Sequence, residues 1–116
     1  MKQIIYGTFL MLFLCEGTSF AEQTSLGKYT LAPGEKKTVS IDTKEELKVG
    51  FTNELPMQEA MNCKKMCIRM SVVGNKFLDA TAAIGTSMQA APIEGKIQLV
   101  FENLEEFPIP IDVYRK

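Results

Sequence analysis

The stretch Lys96-Ile97-Gln98-Leu99-Val100-Phe101-Glu102 places Ile97, Leu99 and Phe101 at alternate positions, with Lys96, Gln98 and Glu102 among the polar residues between them. Successive side chains of a strand point to opposite faces. This spacing therefore predicts a strand with one face in a core and the other in water. The same period recurs on both sides. Val39 and Ile41 alternate with Thr38, Ser40 and Asp42, and Leu47, Val49 and Phe51 alternate with Lys48, Gly50 and Thr52. Phe107, Ile109, Ile111 and Val113 repeat it near the end of the chain, and residues 28–31 read as a further short strand.

Turn chemistry separates these runs. In Ala32-Pro33-Gly34-Glu35 the proline presets φ and the glycine tolerates a positive φ. Thr43-Lys44-Glu45-Glu46, Gly74-Asn75, Ala90-Ala91-Pro92 and residues 103–106 supply the other breaks. Residues 77–88, with Ala80, Ala82, Ala83 and Gly85, read as two short strands or one irregular one. Some seven or eight short strands with turns about every ten residues predict an all-β fold. The expected architecture is a small antiparallel β-sandwich, jelly-roll-like. Its core would comprise Val39, Ile41, Leu47, Val49, Phe51, Ile68, Met70, Ile97, Leu99, Phe101, Ile109 and Ile111.

Pro108 and Pro110 fall on one parity of the last strand. Both remove N–H donors from the same side, which predicts a sheet edge or an unpaired proline half. The middle of the chain fits two patterns. Residues 56–70 favour helix by composition, and Pro56 suits the first helical position. Met66, Ile68, Met70 and Val72 also alternate as a strand would. The reading adopted is a loop or short helix over residues 56–65, then a strand over 66–73.

The chain opens with Lys2, an apolar run over residues 4–14 and the small residues Ser19 and Ala21 around Phe20. This is the three-part pattern of a secretory signal peptide, and the run is short of the about 20 residues of a membrane span. The expected organisation is a signal peptide over 1–21 and one exported domain over 22–116, periplasmic or secreted. Cys15 follows Leu14, where a lipoprotein signal has a small residue, so Cys15 would leave with the leader.

The formal net charge is −1, and the leader carries one charge of each sign, Lys2 and Glu16. No basic excess points to nucleic acid or to an anionic membrane surface. No long apolar stretch follows the leader, so no transmembrane segment is expected after cleavage. The chain has no histidine. That excludes Ser-His-Asp and Cys-His catalysis and the usual His-rich zinc hydrolase sites. Asp42, Glu45 and Glu46 read as surface charges instead of a glycosidase pair, in a chain that also lacks tryptophan platforms. Glu102, Glu105 and Glu106 flank a turn without the spacing of a calcium site. The expectation is a protein that is not an enzyme.

The unusual feature is sulfur. Met57, Met61, Cys63, Met66, Cys67 and Met70 fall within one short segment. Two cysteines in an oxidising compartment predict a disulfide between Cys63 and Cys67. In a strand their Cα atoms would stand about 13 Å apart, too far to bridge, so the bridge requires a turn. Methionine then serves as an adaptable core filler. The alternative is a soft-metal site for Cu(I), with Met57, Met61, Cys63, Met66, Cys67 and Met70 as ligands. Lys64, Lys65 and Arg69 form a basic cluster beside the cysteines, a candidate contact for an acidic partner.

The segment from Tyr29 through Ala32-Pro33-Gly34-Glu35 to Ile41 resembles the opening of bacterial pre-peptidase C-terminal domains, with a strand, a Pro-Gly turn and a second strand. Residues 97–113 resemble their closing hairpin, with Asn103 at the turn. The resemblance implies a small exported β-sandwich of a kind often appended to secreted proteases. The acidic central strand usual in that family is replaced here by the Cys and Met segment. The function expected is a binding module for a protein or envelope component, acting through the Cys63–Cys67 loop and an exposed strand edge.

Overall fold

The computed structural model describes residues 23–116. The expected leader and its cleavage site lie outside the described residues. Eight strands follow one another: β1 Thr24–Leu31, β2 Lys36–Asp42, β3 Leu47–Asn53, β4 Ile68–Val72, β5 Asn75–Ala82, β6 Gly85–Ala90, β7 Lys96–Asn103 and β8 Ile109–Arg115. One helical turn, α1 Met57–Ala60, lies between β3 and β4. The strands form two four-stranded antiparallel sheets, in the orders β1-β8-β3-β6 and β2-β7-β4-β5. This is a jelly roll, in which most successive strands pass from one sheet to the other. Among the described residues no helix is long and apolar enough to cross a membrane.

The alternation in the sequence explains the core. Val49 and Phe51 of β3 and Ile109, Ile111 and Val113 of β8 face inward from one sheet. Val39, Ile41, Ile68, Met70, Ile97, Leu99 and Phe101 answer from the other. Phe51 and Phe101 meet edge-on across the gap, their ring centroids 5.7 Å apart at 77°. That is the favoured arrangement of two aromatic quadrupoles. Leu47, expected in the core, is half-buried at the start of β3 and packs against the core from there. On the outer face, Tyr114 lies over Gly50. A Cβ at Gly50 would collide with the Thr86 carbonyl and the Tyr114 hydroxyl.

Two expectations need correction. β8 is an interior strand, between β1 and β3, and not a sheet edge. The prolines are tolerated because β8 pairs with β3 only from Ile111 onward. Pro110 lies beyond that pairing and still accepts a hydrogen bond from Glu54 N–H at 2.9 Å. The donor missing at Pro110 thus faces the place where β3 has ended. The alternative of an unpaired proline half holds only on that side, because Pro110 and Ile109 are paired with Thr30 and Leu31 of β1 on the other. Second, residues 97–113 are not a hairpin. β7 pairs with β2 and β4, whereas β8 pairs with β1 and β3, so the segment is a corner between sheets. The Pro-Gly turn is also such a corner, with Gly34 at φ 76° joining β1 to β2.

The corners after β1, β3, β5 and β7 gather at one end of the sandwich. They are tied by Gly34 N–H to the Asn103 carbonyl, Asn53 Nδ2 to the Ala83 carbonyl and Leu104 N–H to the Cys67 carbonyl. This end carries the sulfur-rich segment.

Candidate functional site

The segment begins at Pro56, which is the N-cap of α1, one position earlier than its expected place inside the helix. Its carbonyl accepts from Glu59 and Ala60, and Ala60 turns inward and is buried. Asn62 N–H and Cys63 N–H then bond back to Glu59 and Ala60 and end the turn. Cys63 and Cys67 stand at disulfide distance, with Cα atoms 5.2 Å apart. The turn that such a bridge requires is built from two left-handed residues, Met66 at φ 68° and Cys67 at φ 63°. Ile68 N–H reaches the Met66 carbonyl at 2.7 Å, closing a three-residue turn over Cys67. Side chains other than glycine rarely adopt this region, at a cost of about 1–3 kcal/mol each. β4 therefore starts at Ile68, two residues later than the alternation suggested.

Glu105 holds this conformation. It comes from the corner between β7 and β8 and is only 7% exposed. Its carboxylate accepts the backbone N–H groups of Lys64 at 2.9 Å, Lys65 at 2.7 Å and Cys67 at 3.2 Å. Burial pushes its pKa up. The three backbone donors and the Lys65 charge together outweigh burial, and the net shift is downward. The charge thus stays on the carboxylate in a nest of N–H groups. Asn103 positions Glu105 in turn. Asn103 is buried, donates from Nδ2 to the carbonyls of Leu31 and Phe107, and accepts the Glu105 N–H at 2.8 Å.

The structure divides the six sulfur side chains. Met70 is fully buried in the sandwich core, and Cys67 is buried in the same cluster. Cys63 is half-buried, and Met57, Met61 and Met66 are exposed. A bridged cysteine pair offers no thiolate to a soft metal. Arg69 is not grouped with the two lysines. It forms a two-pronged ion pair with Asp79 of β5, at 2.9 Å through Nε and 2.5 Å through Nη2. The bond to Asp79 raises the Arg69 pKa, and the bond to Arg69 lowers that of Asp79. Lys64 and Lys65 are exposed, and neither joins an ion pair among the described residues. With Asn62, Leu104, Glu105, Glu106 and Phe107 they line a cleft of about 230 Å³.

The sequence places Asn103 and Glu105 in an acidic turn and assigns them no further role. Nothing in their spacing marks them, because the Glu105 partners lie some forty residues away. No family model matches the chain, and no curated protein matches it.

Proposed function

We propose that this chain is a non-enzymatic, exported β-sandwich, periplasmic or secreted, that binds another protein or an envelope component through its sulfur-rich end. One observation carries the reading. Met57, Met61 and Met66 stand exposed on a loop fixed at its base by Glu105, Asn103 and the Cys63–Cys67 pair. Exposed methionines form adaptable apolar contact surfaces. A loop held in one conformation loses less entropy on binding than a mobile one. The cleft beside it, with Lys64, Lys65 and Phe107, adds polar and aromatic contacts. The leader pattern supports export, and the absence of histidine removes the commonest general base.

The test is photocrosslinking in the cell that makes the protein. A photoreactive residue replaces Asn62 at the loop or Thr52 on the outer face of β3, both exposed. A discrete adduct from position 62 and none from position 52 supports the reading. Adducts of equal yield from both positions count against it.

A further inference from the structure

The chain holds no histidine and no tryptophan. Cys63 and Cys67 stand at disulfide distance, so their sulfurs are already oxidised when bridged. The methionine thioethers are then the softest oxidisable groups among the described residues. Their distribution is uneven. Met70 is 0% exposed and Met88 is half-buried against the core. Met57, Met61 and Met66 are 62, 70 and 52% exposed. Every exposed methionine of the described residues thus lies on the one segment proposed to dock. Glu105 holds the turn around Met66, and the α1 bonds, among them Met61 N–H to the Met57 carbonyl, hold the other two, so this exposure belongs to the folded state.

We infer that Met57, Met61 and Met66 form an oxidation site for two-electron oxidants such as hydrogen peroxide or hypochlorous acid, and that their conversion switches docking off. The switch rests on the docking reading above; the site does not. In the reaction each thioether sulfur forms one S–O bond and loses two electrons to become a sulfoxide. With hydrogen peroxide the O–O bond breaks, one oxygen stays on sulfur and the other leaves as water. With hypochlorous acid the O–Cl bond breaks, and chlorine adds to sulfur as a chlorosulfonium and releases hydroxide. Water then displaces chloride with loss of two protons, so that the net products are sulfoxide, chloride and one proton. The product is a polar side chain with a strong acceptor oxygen. Pressed against an apolar partner surface, that oxygen would be buried without a donor, which weakens binding. The sandwich itself is spared, because none of the three side chains belongs to its core.

The experiment treats the exported protein, bridged at Cys63–Cys67, with graded hydrogen peroxide. Peptide mass spectrometry follows each methionine, and circular dichroism follows the fold. Conversion at Met57, Met61 and Met66 is expected to be faster than at Met70 by roughly tenfold or more, with the β spectrum unchanged. Equal rates at Met70, or loss of the β spectrum as the surface methionines react, would overturn the site. The second arm repeats the crosslink from position 62 after oxidation. The yield should fall severalfold and return after treatment with the two methionine sulfoxide reductases, one for each epimer. An unchanged yield at full conversion overturns the switch and leaves the docking reading standing. An adduct absent before oxidant is added overturns the docking reading and the switch together, while the conversion rates alone judge the oxidation site.

Discussion

The Glu105 carboxylate stands 2.7 Å from the backbone nitrogen of Lys65, a residue forty positions earlier in the chain. That bond and its two companions to Lys64 and Cys67 join the corner after β7 to the sulfur-rich loop. A buried charge is tolerated there because three N–H dipoles replace the water it has lost. The loop therefore has a fixed shape, although it contains only one helical turn and two left-handed residues.

Replacing the carboxylate tests this directly. Glu105→Gln keeps the size of the side chain but removes its charge and one acceptor oxygen. Urea unfolding should show a loss of about 1–3 kcal/mol, the range for a buried hydrogen-bonded charge. Amide exchange at Lys64, Lys65 and Cys67 should quicken as well. Unchanged stability and exchange would show that the carboxylate holds nothing.

The same group sets a pH dependence. Its pKa is lower in the folded protein than its ordinary value of 4.5. The unfolded chain therefore takes up the proton first, and the stability this carboxylate contributes is fully present above pH 4.5. That contribution declines as pH falls through the lower folded value. Wild type should lose more stability than Glu105→Gln on acidification below about pH 4.5, because the amide has no proton to gain. Parallel stability curves for the two proteins would contradict the shift.

Met66→Gly should raise stability by about 0.5–1 kcal/mol. Glycine reaches φ 68° without the Cβ penalty, and the exposed Met66 side chain is outside the core. The greater freedom of glycine in the unfolded chain offsets part of the gain. A thermal midpoint below that of wild type would show that the left-handed turn carries no strain at this position.

Asn103→Ala would strand two carbonyls, of Leu31 and Phe107, and the Glu105 N–H. A loss of about 2–3 kcal/mol is expected in urea unfolding. Asn103→Asp should be worse near neutral pH, since its carboxylate would face two carbonyl oxygens that now receive a donor. If the aspartate variant proved as stable as wild type, the assigned hydrogen bonds would be wrong.

Much of the fold is legible in the sequence because alternation encodes which face is buried. Phe51 and Phe101 sit at such positions, and both lie in the core they predict. Sheet order is harder to read. Pro110 suggested an edge strand, yet the position of its missing donor depends on where β3 ends, which is a property of another segment. The boundary at Met66 was misread for a different reason. A strand period and a left-handed turn can share the same residue types, and the approach of Cys67 to Cys63 together with the tie to Glu105 decides between them. Of the candidate site residues, the Cys63 and Cys67 pairing could be argued from the even cysteine count and the expected oxidising compartment. The capture of Arg69 by Asp79 across the β4–β5 hairpin, and the exposure of Met66 beside buried Met70, required the backbone.

The most direct measurement is the crosslink from position 62, made in wild type and in Glu105→Gln, with position 52 as control. A discrete adduct from position 62 in wild type, severalfold weaker in Glu105→Gln and absent from position 52, is the result expected of a docking loop shaped by that carboxylate. No adduct from position 62, or equal yields from positions 62 and 52, would contradict it.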